Sequence, residues 1–236
     1  MRGSVTAVAQ TLKVLEFKQG RLETMLTRLA WPLPGHLGAK WLDDVATSYL
    51  AGSLTDEDVT DVFLDKYRKH GLDDLRREWQ GDSLVATRLP ILLDALKAHE
   101  EERYTLSVPV LLAQLEGLIA ETRKHKGRFT GKTLVQYLEP IRAQGSRFQR
   151  FAARFVVETL WTGFHHGDSL PVLSRHAILH GADLQYATAG NSLRAILSFD
   201  IIRAALNAQL DKSRRRPSNK RVEPTRSRAR KREAHS

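Results

Sequence analysis

The chain has 236 residues, 42% of them apolar and none of them cysteine, and a formal net charge of +10. The missing cysteines exclude disulfides, thiolate catalysis and cysteine-ligated zinc, and no run approaches the roughly 18 consecutive apolar residues of a membrane-spanning helix. The charge is local: from Lys212 to Ser236 eleven lysines and arginines face two glutamates, so this stretch carries +9 and the other 211 residues carry +1.

Met1-Arg2-Gly3-Ser4 is not followed by the hydrophobic segment of a signal peptide, and a cytoplasmic protein is expected. Pro32, Pro34, Gly35 and Gly38, with the later turn Gly81-Asp82-Ser83, set off residues 1–83 as an N-terminal helical segment. Thr55 and Asp58 have the spacing of a capping box. Val59, Val62, Phe63 and Tyr67 then recur at helical spacing, and Gly71 offers a C-terminal stop.

Residues 84–210 read as a bundle of four or five helices. Leu92, Leu93 and Leu96 predict a helix to His99, with Pro90 in its first turn. A second follows Tyr104 and presents Val108, Leu111, Leu112, Leu115 and Ile119, with Pro109 near its start. Phe148, Phe151, Phe155 and Leu160 predict another that ends around Gly163 to Gly167, and Asn191 is the expected N-cap of a last apolar run from Leu193 to Leu206. No segment has the alternation of a strand, so the fold class is all-α. Residues 211–236, basic and poor in large apolar side chains, are expected to be a disordered tail able to hold RNA, DNA or ribosomes by counterion release, or a plain solubilising extension.

Two stretches carry chemistry. Arg123 to Lys132 joins two helices and combines five full positive charges with two glycines. Lys126, Arg128 and Lys132 suit RNA phosphates there, and Phe129 suits stacking on an unpaired base; a solvated polar connection has the same composition. The run Leu173-Ser174-Arg175-His176-Ala177-Ile178-Leu179-His180-Gly181 places a permanent planar phosphate ligand five residues before an imidazole that can move a proton near neutral pH. Spacing alone decides little, since Arg230 and His235 repeat it in the tail. On an ideal helix Arg175 and His180 stand about 140° apart, so they would act together across a symmetric dimer or after the last turn loosens at Gly181. Read structurally, the same histidine caps final carbonyls and the arginine pairs with an acid such as Asp168.

His165, His166, His176 and His180 could be gathered at a zinc or nickel site, but no carboxylate or thiolate completes a ligand spacing, and no metal or other cofactor is expected. Phosphate-binding glycine loops, nucleophile elbows and paired-histidine metalloprotease helices are missing from the sequence.

The block from Ala95 to Gly117, with Tyr104 at a helical turn and an acidic residue in the second helix, and the block from Arg175 to His180 resemble the HEPN superfamily of small helical bundles. Arg175 and His180 match its arginine, four to six residues, histidine pattern, and His176 fills the polar position after the arginine. The order Arg175-His176, His180-Gly181, Tyr186, Asn191-Ser192-Leu193 is similar to that of a group of bacterial proteins with the same pairs. The resemblance spans roughly residues 84–210 and implies a metal-independent endoribonuclease, a toxin or phage-defence effector, with its active site across a homodimer and an antitoxin or regulatory protein as a partner. It implies that His180 and His176 carry protons, that Arg175 neutralises the scissile phosphate, and that Tyr186 and Asn191 position RNA. The superfamily also contains non-catalytic modules that dimerise and bind nucleic acid or protein.

Overall fold

A computed structural model describes residues 20–34, 37–163, 165, 167 and 169–215. Among the described residues there are ten helices: α1 (20–28), α2 (Ala39–Leu50), α3 (Asp56–Lys66), α4 (Leu72–Gln80), α5 (Leu89–Glu100), α6 (Tyr104–Thr122), α7 (Gly131–Gln144), α8 (Arg147–Phe155), α9 (Arg175–Leu179) and α10 (Ala189–Arg215). Among the described residues there is no strand, and no helix is long and apolar enough to cross a membrane. The chain is all-α.

The architecture is organised around α10, which is buried on every side from Gly190 to Arg203 and packs against α3, α5, α6 and α8. A helix that is wet on one side needs one apolar stripe, whereas a central one must be satisfied all round. Leu193, Ile196, Leu197, Phe199, Ile201, Ile202 and Leu206 meet that need with apolar contact. Several of its buried polar groups are met from before position 83: Arg203 reaches Asp82 at 2.6 Å and Glu78 at 2.8 Å, and the Trp79 indole donates to Asp200 at 2.9 Å. Arg194 lies 4.1 Å over the Trp31 ring, which itself stacks on Phe63. One hydrophobic core therefore runs through residues on both sides of position 83.

The capping box at Thr55 forms in both directions. Gly71, however, does not end the helix. Its backbone stays helical at φ −65°, a π-helical turn spans Tyr67–Gly71, and α4 continues to Gln80. The Tyr67 ring lies 2.6 Å from where a Cβ of residue 71 would be, so glycine is there to seat a buried tyrosine. A second π-helical turn, Val156–Leu160, extends α8, which finishes at Trp161, earlier than the Gly163 to Gly167 region.

α5 and α6 form as expected, with Pro90 in the first turn of α5 and all five expected α6 positions fully buried. Asn191 is not the cap of α10. Thr188 takes that role, its hydroxyl accepting from the Asn191 amide at 3.1 Å, and the Asn191 side chain turns inward to donate to the Tyr186 carbonyl. α10 extends to Arg215, into the first residues of the stretch expected to be a disordered tail, and residues 216–236 lie outside the described residues.

Candidate functional site on α9

α9 is five residues long and is held by its ends. The Ser174 hydroxyl, fully buried, accepts from the Ala177 amide at 3.2 Å. At the other end Ala182 donates to the Ala177 carbonyl and Gly181 to Ile178, with Gly181 at φ +73°, which is a Schellman termination. Ala177 and Ile178 face the core. His176, Leu179 and His180 are thereby displayed on a helix too short to be stable alone.

Of the two arrangements open to Arg175 and His180, across a dimer or within one chain, no contact between them within the chain is found among the described residues. Arg175 instead turns to α6 and pairs with Glu116, and its guanidinium lies 5.2 Å over the Trp161 ring. The pair is mostly enclosed, with side-chain exposures of 17% and 24%. The Arg175 Nε is buried without a hydrogen-bond partner among the described residues. His180 has His176 as its neighbour. The two rings are one turn apart, 6.0 Å between centroids and 9° from parallel. Burial, then Arg175 and His180, hold the His176 imidazole below its ordinary value, with Glu116 opposing weakly. His176 is therefore neutral at pH 7 and able to accept a proton.

The acid named in sequence as a partner for Arg175, Asp168, lies outside the described residues, as does His166. Glu116 is the partner found. It is the acidic residue of the second helix in the Ala95–Gly117 block, but its pairing could not be read from spacing because 59 positions separate it from Arg175. Trp161 carried no sequence signal of its own. Among the described residues no group of three or more histidines, aspartates or glutamates is placed to hold a metal ion.

Tyr186 is half-buried and donates to the Thr105 carbonyl at 3.3 Å, so it ties the connection after α9 to the start of α6. Asn191 is buried with its amide committed to Tyr186 and its oxygen facing Arg194 at 3.4 Å. Lys126 and Arg128 are exposed in the basic connection, which ends at the α7 cap Thr130; Lys132, also exposed, lies in the first turn of α7 and not in the connection. Phe129 is half-buried and packs edge-on to His125 at 5.4 Å, beside Tyr137. Arg123 turns inward to the Tyr137 carbonyl and Gln209. Glu116 and Arg123 are seven residues apart on α6, which places them on one face about 10 Å apart along the axis. The basic connection thus leaves α6 two turns beyond the Arg175 contact.

Compared with protein-family models, curated proteins and solved structures, the chain matches none.

Proposed function

We propose that the protein is a metal-independent endoribonuclease of the HEPN type, acting as a homodimer in RNA-directed toxicity or phage defence, with α9 as its reactive element. The observation that carries this reading is the pair of near-parallel imidazoles of His176 and His180, 6.0 Å apart on an accessible helical face beside Arg175. Two imidazoles on one accessible face can serve as base and acid toward a single phosphodiester seated against that face.

In the reaction, neutral His176 takes the proton of the ribose 2′-hydroxyl and the freed oxygen attacks phosphorus. The bond from phosphorus to the 5′-oxygen breaks, and that oxygen receives a proton from protonated His180. The products are a 2′,3′-cyclic phosphate and a 5′-hydroxyl. Arg175, oriented by Glu116 and Trp161, supplies positive charge next to the phosphate. Lys126, Arg128 and Lys132 supply salt-sensitive affinity for the RNA backbone. A second copy across a two-fold axis would present the same patch again, bringing one Arg175 toward the other chain's histidines.

A second reading rests on the Arg175–Glu116 pair. A guanidinium already neutralised and stacked on Trp161 fits a non-catalytic helical module that binds nucleic acid or a partner protein. One experiment separates the two: purified protein is incubated with total bacterial RNA and a labelled transfer-RNA pool in excess EDTA, beside an Arg175→Ala, His180→Ala variant. Cyclic-phosphate ends with the parent chain alone support the nuclease. Equal outcomes with RNA binding retained support the module.

A further inference from the structure

About 18 Å along α6 from Glu116, at the Tyr104 end, lies a second concave site of about 380 Å³. It is walled by Tyr67, Arg68, His99, Glu100, Glu102 and Tyr104, and its volume falls at the small end of ligand pockets. None of these side chains belongs to the site on α9.

The orientation of His99 is fixed by a chain of hydroxyls. Its Nδ1 is 2.7 Å from the Ser192 Oγ, that oxygen is 2.6 Å from the Ser107 Oγ, and the Ser107 hydroxyl donates to the Tyr104 carbonyl at 3.4 Å. A serine hydroxyl has one proton to give. With that of Ser107 on the carbonyl, Ser192 donates to Ser107 and His99 Nδ1–H donates to Ser192. This assignment makes three hydrogen bonds where the reverse direction makes two. Nε2 is then the acceptor of a neutral ring, and it has no hydrogen-bond partner among the described residues. Ser107 and Ser192 are fully buried, so the relay is built into the core between α6 and α10.

Around that acceptor the charge is negative. Three carboxylates, Asp73, Glu100 and Glu102, line the site together with the His70 imidazole and the single guanidinium of Arg68, which is held by Asp65 at 2.8 Å. Glu100 and Asp73 are bridged by Arg76. Glu102 makes no ion pair among the described residues and lies beside the Tyr104 phenol, whose ring is 5.7 Å from that of His99. Glu102 also occupies the left-handed position of the Schellman motif that ends α5, with φ +58°, where glycine is the unstrained choice. Lys124 and Ala30 hold comparable positions at other helix ends, so the backbone by itself marks nothing. What distinguishes Glu102 is an uncompensated carboxylate at the mouth of a cavity with a fixed acceptor inside it.

We infer that this cavity binds an alkylammonium head group, whose three N–H donors meet His99 Nε2, the Glu102 carboxylate and the Tyr104 oxygen. The head group comes from a free polyamine or from a lysine side chain of a partner protein; both present the same donors. The inference stands apart from the nuclease reading, because the two sites share no residue.

The test uses the full chain and side-chain NMR. Long-range proton–nitrogen spectra report whether His99 carries its proton on Nδ1; a proton on Nε2 overturns the proposal. Spermidine and the peptide acetyl-Gly-Lys-Gly-amide are then titrated separately while the His99 and Tyr104 resonances are followed. Saturable shifts with spermidine alone assign a free polyamine, and shifts that are tighter with the peptide assign a lysine side chain. Glu102→Gln is expected to weaken either by at least about tenfold. Glu102→Gly is expected to raise the melting temperature while binding is lost, which separates a lost ligand contact from a lost fold. Lys124→Gly is expected to raise the melting temperature with binding unchanged. No saturable shift with either ammonium probe, or saturable shifts with inorganic phosphate in their place, overturns the proposal.

Discussion

His176 and His180 stand one above the other on α9, their imidazole planes within 9° of parallel, while Arg175 on the same short helix turns away to Glu116. This division gives the two histidines complementary proton roles in the proposed reaction. Replacing either with alanine is expected to lower RNA cleavage about 10²- to 10⁴-fold. The double variant is expected to lose little more than the worse single one, because groups that act as a unit are not additive. The acid limb of the pH–rate profile should lie below pH 6.5, since the His176 value is depressed. Initial rates from about pH 4.5 to pH 8 check it, and an acid limb above 6.5 removes His176 as the base.

Ser174 holds the start of α9 with a buried hydroxyl. Ser174→Ala is expected to cost about 1–2 kcal/mol in urea unfolding, at the upper end of N-cap values because the amide of Ala177 would be left buried. Cleavage should fall further than the folded fraction does, because the histidine display depends on that one turn. A cleavage loss equal to the unfolded fraction would show that α9 does not need its cap for activity.

The Arg175–Glu116 pair is largely enclosed, so its members are expected to be coupled. In a double-mutant cycle with Arg175→Met and Glu116→Gln, each single change strands the other group. The pair is expected to show a coupling of about 1–3 kcal/mol by chemical unfolding. Met keeps an apolar stem over Trp161, which isolates the charge contribution from the packing. Coupling near zero would mean that Glu116 does not position the guanidinium.

Burial holds His99 down to about 4 from an ordinary value of 6.5. The unfolded chain therefore binds a proton at this residue that the folded chain refuses between those two values. The stability from neutral His99 is complete above pH 6.5 and is lost as the pH falls toward 4, by on the order of 3 kcal/mol. Urea midpoints across that window, compared with His99→Asn, measure it. The asparagine amide can keep the bond to Ser192 without the titration, so the variant should lose stability less steeply on acidification.

Local signals in the sequence read well where the answer is local. The Thr55–Asp58 box, the Pro90 first turn and the α6 core positions are each set by residues within a turn or two of one another. α7 is capped by Thr130 and buries Leu134, Leu138 and Ile141 at helical spacing, but three apolar positions with Pro140 among them make a faint stripe beside a run of charges. Glycine usually ends helices, but Gly71 instead leaves room for the Tyr67 ring, a contact the local pattern does not announce.

At the candidate sites the legible part was residue type and the illegible part was pairing. Arg175, His176 and His180 were visible as chemistry, and the i, i+4 spacing of the two histidines already places them one turn apart, but the long-range choice of Glu116 over a nearer acid depends on how α6 lies against α9. The His99 relay is invisible for the same reason: Ser107 and Ser192 are 85 positions apart.

The central helix α10 has a bearing on how the chain comes to be folded at all. Its polar contacts reach back 121 positions to Trp79 and 125 to Glu78 and Asp82, and its apolar surface is the wall against which α3, α5, α6 and α8 are laid. During synthesis those helices emerge first and, although α5 packs on α6 and α7 on α8, they lack this shared wall until residues near Asn207 follow. Ser192 completes the relay on His99, and the connection that carries α9 is tied down through Tyr186, only in this late stage. A nascent chain would therefore hold both sites unassembled until nearly all of the described protein has been made, so neither of the proposed activities would begin on an incomplete polypeptide.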